Sequence, residues 1–264
     1  MNVLVCTNEY YPHGSGIANV AHAVVEEWRK NKIDVEICSP TGPDHFIETL
    51  NDCGYIGLLN FWEKANRFCR KIGGDYDFVW MHNPVLIRGP TMRNGLVTIH
   101  STSYGRVIGK MHPLPLHIYY YIGSAIDRRS WIQLQNKGSN VFSAISDSVT
   151  HDLKELWIRN PHLIPNGVDT ALFRKDGGKG VRERYGIPGD GILFIAVGRL
   201  TAVKMYDRLV RSFDVVQRAL GNAWLLIAGG GELLEPTKEL VSRMGVRNVV
   251  FAGPTPHEDL PEIS

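Results

Sequence analysis

The sequence predicts an α/β protein with two doubly wound parallel sheets, the second of them incomplete. Short apolar runs rich in β-branched residues alternate with stretches whose apolar residues recur every three or four positions, as strands alternating with helices require. The chain has 264 residues, more than a usual single domain, and residues 175–191 are rich in glycine and charge. We therefore expect two sheets joined by a linker.

The glycine-rich stretch sets the predicted domain boundaries. We assign residues 1–174 to an N-terminal domain, residues 175–191 to the linker and residues 192–264 to a partial C-terminal domain. The predicted strands are, in chain order, Val3–Thr7, Ile33–Cys38, Phe78–Met81, Leu96–Ile99, Val141–Ile145, His162–Ile164, Ile192–Val197, Ala223–Ala228 and Val249–Phe251. The last three make half a sheet, because doubly wound sheets usually carry about five or six strands. We expect this second unit, with its open sheet edge, either to be mobile or to be completed by self-association or by another polypeptide.

Composition and charge exclude several classes of protein. Hydrophobic residues make up 44% and charged residues 21% of the chain, as in soluble globular proteins, and a net charge of +2 does not favour nucleic acid as a partner. No apolar run approaches the roughly 20 residues of a membrane span, and the amino terminus lacks the features of a signal peptide. Cys6 and Cys38 fall in strand-like runs and are expected to be buried, reduced thiols. We therefore expect a cytoplasmic protein.

Two cations follow the first strand of the second domain. The strand Ile192–Val197 is apolar and is expected to be a buried parallel strand that ends at Gly198. Arg199 and Lys204 come next, before a helical pattern. Ligands of open α/β sheets bind at the carboxyl ends of strands, and helix amino ends attract anions. The two cations are therefore candidates for holding a diphosphate, although solvated surface cations would give the same pattern.

A glycine loop follows the first strand of the chain. It contains Gly14 and Gly16 and leads into a helical pattern and a second strand, which together form a βαβ unit. Glycines there let a ligand approach backbone N–H groups. Asn19 replaces the third glycine of a dinucleotide fingerprint, and no acidic residue ends the second strand to hold a ribose. The loop is therefore either an anion cradle or a plain tight turn.

A helical stretch with an apolar and a basic face lies between the second and third strands. Its apolar residues run from Phe61 to Ile72, whereas Arg67, Arg70 and Lys71 fall elsewhere on the helix. This pattern predicts either a helix packed on the sheet with a hydrated basic face or a helix lying on a membrane surface.

Six motifs are spread along nearly the whole chain. They are Y-P-H-G-S-G from residue 11, S-A-I-S-D-S from 143, I-P-N-G-V-D-T-A-L-F from 164, V-G-R-L-T-A-V-K from 197, I-A-G-G-G-E from 227 and V-V-F-A-G-P-T from 249. Together they resemble the motifs of the retaining glycosyltransferases of family 4, which have the GT-B architecture. The resemblance implies two Rossmann-like domains. It also implies metal-independent transfer of a sugar from a nucleoside diphosphate sugar, with retention at the anomeric carbon.

The resemblance, together with position after predicted strands, assigns site residues. The assignments are His100 against the transferred sugar as the catalytic residue, Arg199, Lys204 and Gly16 at the donor diphosphate, Gly198, Gly230, Gly231 and Thr255 in the nucleotide-binding loops, and Tyr10, Gly14 and Tyr104 on the acceptor side. The substrate would be a UDP-, GDP- or ADP-sugar, with no cofactor and no metal. The acceptor would be a carbohydrate or lipid-linked, and in the second case we expect peripheral contact with the inner face of the membrane through the basic helical face.

Two features depart from the family pattern. Met205 stands where the family has a glycine after the donor lysine. In addition, the family binds donor sugar and ribose through two glutamates separated by seven residues, and no two glutamates of this sequence have that spacing. We therefore expect this chain alone to bind nucleoside diphosphate without efficient transfer.

Three other functions stay open at the level of sequence. The first is a non-catalytic nucleotide-sugar-binding fragment or subunit, which the missing glutamates favour. The second is a nucleotide-sugar epimerase, because fold alone does not fix function. The third is a dehydrogenase with two dinucleotide folds, which the incomplete glycine fingerprint disfavours.

Overall fold

The computed structural model describes residues 1–12, 16–50, 54–92, 94–109, 114–173, 180–255 and 259–263. The chain divides into two compact units, unit 1 (residues 1–167) and unit 2 (residues 168–264), whereas the sequence analysis ended the first domain at residue 174. Gly14 and the first residues of the predicted linker lie outside the described residues.

Unit 1 is built on a sheet of seven parallel strands. They are β1 (Asn2–Cys6), β2 (Asp34–Ser39), β3 (His45–Phe46), β4 (Phe78–His82), β5 (Gly95–Ile99), β6 (Val141–Ala144) and β7 (His162–Leu163). Their order is β3-β2-β1-β4-β5-β6-β7, so the chain winds outward in both directions from the middle of the sheet. The winding direction reverses between β1 and β4, which is the point where ligands of doubly wound sheets bind.

Two layers of helices cover this sheet. The described helices are α1 (Gly16–Lys30), α2 (Gly54–Ile72), α3 (Ser103–Ile108), α4 (Leu114–Asn136) and α5 (Asp147–Glu155). Val3 and Val5 share a core cluster with α1, whereas Leu4 and Cys6 share another with α2, α4 and α5. Because successive strand residues point to opposite faces, one buried strand supports a core on each side. Each large apolar side chain buried in this way contributes about 1.5–3 kcal/mol.

The helical face predicted from Phe61 to Ile72 is confirmed in α2. Phe61 and Trp62 are fully buried against the sheet. Arg67, Arg70 and Lys71 are exposed on the other side of the helix.

The edge strand β3 was not predicted. It has only two residues, His45 and Phe46, which pair with Cys38 and Ser39 of β2. Neither β3 residue is buried, and Phe46 is 69% exposed, so no apolar run marks this strand in the sequence.

Unit 2 contains a smaller sheet of three parallel strands. They are β8 (Ile192–Val197), β9 (Ala223–Ala228) and β10 (Val249–Gly253), in the order β10-β9-β8. The described helices are α6 (Val181–Arg184), α7 (Tyr206–Leu220), α8 (Leu234–Met244) and α9 (Leu260–Ile263). Residues 181–187, which the sequence analysis placed in the linker, include the buried side chains of Val181 and Ile187.

The prediction that Ile192–Val197 is a parallel strand is confirmed, but the prediction that its side chains are buried was wrong. Ile192, Phe194, Ile195 and Val197 are between 39% and 47% exposed. The reason is position in the sheet: β8 pairs with β9 on one side, and no described strand pairs with its other side. The buried centre of the sheet is β9, whose last four residues are at most 1% exposed. The apolar composition of a strand does not reveal which of its sides are covered.

Within the described parts of the chain, no helix combines the length and the apolar character needed to cross a lipid bilayer.

Candidate functional site

Backbone hydrogen bonds join the carboxyl ends of the three strands of unit 2. The N–H of Gly198 donates to the last carbonyl of β9 at 3.0 Å, and the N–H of Leu200 donates to the carbonyl of Gly230 at 2.8 Å. The N–H of Gly229 donates to the last carbonyl of β10 at 2.8 Å, which also accepts from Oγ1 of Thr255 at 3.1 Å. The structure therefore brings the predicted loop residues together at one edge of the sheet.

Glycine is required where these loops cross. Gly198, Gly229 and Gly231 have φ values of 150°, 144° and 142°, a backbone region that other residues rarely adopt. A β-carbon on Gly231 would lie 2.6 Å from the carbonyl oxygen of Leu200, and one on Gly229 would overlap the carbonyl of Gly198. The loops that follow β8 and β9 therefore pack backbone against backbone at Gly198, Gly229 and Gly231. We call this contact the glycine crossing.

Arg199 and Lys204 stand beside the glycine crossing. Both are exposed, and Lys204 ends a short 3₁₀ turn that begins at Ala202. The hydroxyl of Tyr206, the first residue of α7, donates to the carbonyl of Gly198 at 3.0 Å and so ties the helix start to the end of β8. Among the residues that the structure describes, neither cation has a carboxylate within ion-pair distance. Both charges are therefore free to meet an anion.

Met205 holds a backbone conformation that suits glycine. Its φ and ψ are 52° and 45°, in the left-handed region, and no side chain caps α7 at this point. A residue with a β-carbon pays about 1–2 kcal/mol in that region. The helix nevertheless begins at Tyr206. Methionine in place of glycine at position 205 therefore makes this turn less favourable but does not prevent it from forming.

Two histidines meet at the carboxyl edge of the unit 1 sheet. His82 ends β4, His100 follows β5, and Nδ1 of His82 lies 2.9 Å from Nε2 of His100. Oδ1 of Asn83 accepts from the backbone N–H of His100 at 2.7 Å. Asn83 itself is in the left-handed region, with φ 47°. These contacts hold His100 in one orientation.

Both imidazoles are held in the neutral form. Burial lowers the pKa of His100 from 6.5 to about 4. Burial and the neighbouring His100 lower the pKa of His82 well below its ordinary value. The pair therefore carries no positive charge at neutral pH and exchanges hydrogen bonds only as neutral rings.

A pocket of about 240 Å³ opens at the same edge of unit 1. Its walls come from the segments that follow β1, β4 and β5, from the amino-terminal part of α2 and from α4. Its lining residues are Asn8, Gly54, Tyr55, Leu58, Asn83, Val85, Ser101, Thr102, Ser103, Arg106, Tyr119, Tyr120, Asp127 and Trp131. Hydroxyls, amides and one guanidinium dominate the list, which suits a ligand rich in hydroxyl groups.

Asp127 anchors the floor of this pocket. Its carboxylate accepts from the Tyr55 hydroxyl at 2.6 Å and from the backbone N–H of Ser103 at 3.2 Å. Burial raises the pKa of the carboxyl, and these hydrogen bonds oppose that rise. The hydroxyl of Tyr119 accepts from the backbone N–H of Tyr55 at 2.8 Å, so α4 and the start of α2 are tied together.

The pocket lining also includes one cation, Arg106. Nη1 of Arg106 donates to the hydroxyl of Tyr120 at 2.8 Å, and its guanidinium carbon lies 5.0 Å from the centre of that ring. Next to the two pocket tyrosines in sequence, α4 exposes Ile118, Tyr121 and Ile122, which are 52%, 67% and 55% exposed. We call these three residues the apolar lip.

The remaining predicted residues of unit 1 lie at different depths. Tyr10 is 3% exposed and belongs to the core cluster of α1, with burial raising the pKa of its hydroxyl to about 12. Gly16 begins α1, and a β-carbon there would meet no atom within 4 Å. Tyr104 lies in α3, half-buried against the core. The described ranges contain no group of three His, Cys, Asp or Glu side chains placed to hold a metal ion.

The sequence analysis missed the pocket residues Tyr55, Arg106, Tyr119, Tyr120 and Asp127. A signal existed for Asp127. Trp131 and Leu134 follow it on the same face of the helix, and both are fully buried. An acidic residue on a buried helical face indicates a specific polar role. The tyrosines gave no such signal, because their roles depend on which helices meet.

The comparisons with known proteins agree with this architecture. Residues 14–172 match the family described as Glycosyltransferase Family 4, and residues 180–264 match Glycosyl transferases group 1. A curated relative is the GDP-mannose-dependent alpha-(1-6)-phosphatidylinositol monomannoside mannosyltransferase of Mycobacterium tuberculosis. It is 27% identical over an alignment of 277 positions, gaps included, which covers 98% of this chain and 69% of the relative.

Solved structures share the fold. WaaG, a glycosyltransferase involved in lipopolysaccharide biosynthesis, matches with a TM-score of 0.75 and 15% identity over 99% of this chain and 72% of its own. Anabaena Alr3699/HepE in complex with UDP-glucose matches with a TM-score of 0.59 and 15% identity over 100% of this chain and 71% of its own. These likenesses show that the chain has the GT-B fold. By its sequence, the chain belongs to Glycosyltransferase Family 4.

Proposed function

We propose that the protein transfers a sugar from a nucleoside diphosphate sugar to an acceptor, with retention at the anomeric carbon and without a metal ion. Arg199 and Lys204 of unit 2 bind the donor diphosphate in this proposal, and the pocket of unit 1 binds the acceptor. The observation that carries it is the glycine crossing at the carboxyl edge of the unit 2 sheet, flanked by two cations without a carboxylate partner among the described residues.

The chemistry of the reaction explains why cations are needed at this point. The leaving group is a nucleoside diphosphate, whose negative charge grows as the bond to the sugar breaks. Fixed donors aimed at developing charge stabilise it in the transition state. Arg199 supplies a planar fork of donors and Lys204 a compact charge, and both kinds of side chain bind phosphate. In this proposal they take the part that a divalent cation plays in other transferases.

The glycine crossing supports nucleotide binding through the packing of its loops. The positions that β-carbons of Gly229 and Gly231 would take are filled by the backbone of Gly198 and Leu200, so the loops after β8 and β9 pack tightly beside Arg199 and Lys204 at the carboxyl edge of the sheet. The names of the similar proteins include GDP-mannose and UDP-glucose. We propose a GDP-sugar as the donor because the mycobacterial relative, whose alignment covers 98% of this chain, is named as GDP-mannose-dependent.

The pocket and the apolar lip together favour a lipid-linked acceptor. Arg106 and the hydroxyls of Tyr55, Tyr119 and Tyr120 suit a polar, hydroxyl-rich headgroup. The exposed lip on α4 suits the interfacial region of a bilayer, where tyrosine and aliphatic side chains are favoured. The mycobacterial relative is named for a phosphatidylinositol acceptor. We therefore propose a glycosylated or cyclitol lipid headgroup as the acceptor class.

Calorimetric titration with GDP, UDP and ADP tests the donor site. Charge-assisted contacts contribute about 1.5–3 kcal/mol each, so Lys204→Ala should weaken GDP binding by roughly ten- to a hundredfold. Lys238→Ala is the matched control, because Lys238 lies on α8 of the same unit and already pairs with Glu235 at 2.8 Å. Equal affinities of the two variants would overturn the assignment.

Product analysis separates a transferase from an epimerase. The purified protein is incubated with each nucleotide sugar, with and without acceptor lipid. Transfer predicts a glycolipid that forms only when the acceptor is present. An epimer formed without any acceptor would replace the proposed function with the second alternative.

A further inference from the structure

The hydrogen bond between His82 and His100 can run in either direction, with either ring as the donor. Nδ1 of His82 lies 2.9 Å from Nε2 of His100, and the two rings are nearly parallel, at 19°. Both imidazoles are neutral at pH 7, because burial lowers their pKa values. A neutral imidazole carries one proton on one of its two nitrogens. One ring must therefore donate across this contact and the other accept.

The second nitrogen of His82 decides the direction. Nε2 of His82 is buried and has no hydrogen-bond partner within the described structure. If Nδ1 of His82 accepted, the proton would sit on Nε2 and leave a buried N–H without an acceptor. If Nδ1 donates, Nε2 keeps only a lone pair. Buried N–H groups without an acceptor are rarer in proteins than under-used acceptors, so donation from Nδ1 is favoured.

We propose that His82 is a positioning residue that fixes the tautomer of His100. His82 donates from Nδ1 to Nε2 of His100, so His100 carries its proton on Nδ1. Asn83 holds the backbone of His100 through a hydrogen bond of 2.7 Å, which keeps the ring in register with His82. No described residue occupies Nδ1 of His100, so this N–H is the group that the ring offers to a ligand.

The consequence is a neutral donor at the end of β5. A neutral N–H at this point donates to an uncharged oxygen, such as a sugar hydroxyl, without attracting a carboxylate or phosphate as a cation would. The identity of that ligand as the transferred sugar rests on the proposed function. The tautomer does not, because it follows from the buried contacts of unit 1 alone.

Nitrogen NMR of the full chain with isotopically labelled histidine tests the tautomer directly. The signals of His100 are assigned by their loss in His100→Gln. We expect the proton of His100 on Nδ1 in the unmodified protein at neutral pH. A proton on Nε2 of His100 would overturn the proposal, whether or not the protein transfers sugar.

Two variants of His82 extend the test. In His82→Leu the donor is gone, and we expect a mixture of His100 tautomers. In His82→Asn the amide nitrogen takes the place of Nδ1, and we expect the Nδ1–H form of His100 to return. The signals of His45 and His162, which lie in other strands, report whether each variant is folded. A pure Nδ1–H tautomer in folded His82→Leu would contradict the role of His82.

Activity provides a separate readout. Where the product assay detects transfer, an even mixture of tautomers predicts about a twofold lower kcat/KM in His82→Leu, because only the Nδ1–H form is competent, and recovery in His82→Asn. Unchanged kcat/KM in His82→Leu, with the tautomer shifted as expected, would remove the sugar from the proposal and leave the tautomer assignment standing. An epimer formed without acceptor by the unmodified protein would instead count against the proposed function and leave the tautomer assignment standing.

Discussion

Replacing Gly231 by alanine tests the claim that the loops of unit 2 cross too closely for side chains. The new β-carbon would lie 2.6 Å from the carbonyl oxygen of Leu200 and 3.0 Å from two further backbone atoms of that residue. Backbone cannot rotate away as a flexible side chain does. The same carbonyl accepts from the N–H of Leu233 at 3.0 Å, so moving it also strains the loop that leads into α8.

Two terms set the size of the effect. Gly231 has φ 142°, a region essentially reserved for glycine, and holding another residue there costs about 1–3 kcal/mol. Forcing an extra carbon into a closely packed position costs about 1–3 kcal/mol more. Gly231→Ala should therefore lower the free energy of unfolding of unit 2 by about 2–6 kcal/mol, a large part of the roughly 5–15 kcal/mol of a typical domain.

Gly230→Ala is the matched control. Gly230 has an ordinary φ, and its β-carbon would meet the side chain of Pro254 at 3.0 Å rather than a backbone atom. Alanine also restricts the unfolded chain more than glycine does, which favours the folded state by about 0.4–1 kcal/mol. The free energy of unfolding should therefore change by no more than about 1 kcal/mol.

Hydrogen exchange measured by mass spectrometry reports the two units separately. In Gly231→Ala, amides of β9 should exchange faster by the factor that the lost free energy sets, while amides of β4 and β5 in unit 1 keep their rates. If β9 exchanged at the same rate in Gly231→Ala as in the unmodified protein, the close crossing would be refuted. Equal acceleration in Gly230→Ala would show that the loop tolerates no carbon at all and that φ is not the cause.

Three further predictions follow from other parts of the structure. Met205→Gly should raise the stability of unit 2 by up to about 1 kcal/mol, because it removes a left-handed strain of about 1–2 kcal/mol but loosens the unfolded chain; a lower thermal midpoint would contradict it. His100 binds its proton less tightly when folded, with a pKa of about 4 instead of 6.5, so its contribution to stability is present above pH 6.5 and is lost as the pH falls towards 4. Urea titrations should show a smaller loss over this range in His100→Gln, and identical pH profiles would contradict the assignment. Replacing Ile118 and Ile122 by serine should reduce co-sedimentation with anionic lipid vesicles at every salt concentration, whereas Arg70→Ala should act only at low salt; no effect of the serine variant would remove the apolar lip from the membrane contact.

The strands and helices were largely predictable because their signals are local. The apolar runs of β1, β4 and β9 and the apolar residues Phe61 and Trp62 of α2 are buried. Buried positions can be predicted from the local sequence because they are occupied by apolar residues. The exposure of β8 and the existence of β3 depend instead on which strands lie beside them. Strand neighbours are set by the topology of the sheet, and no residue within either strand records them.

The site divides in the same way. Gly198, Gly230, Gly231 and Thr255 were predicted from motif and position, and the structure brings their loops together at one sheet edge. The pocket of unit 1 was not found. Its main polar contacts join α2 to α4, and Tyr55 and Asp127 are separated by 72 residues, so no local pattern could pair them.

Placement of so many pocket groups on one helix limits how the pocket can change. The hydroxyls of Tyr119 and Tyr120, the carboxylate of Asp127 and the apolar lip all belong to α4. An α-helix turns by about 100° per residue. One residue inserted between Tyr120 and Asp127 would swing the tyrosines away from α2 while the carboxylate stayed with Trp131 in the core. If the pocket binds the acceptor as proposed, new acceptor preferences among descendants of this sequence would arise by substitution within α4, and insertions or deletions in that stretch would be selected against.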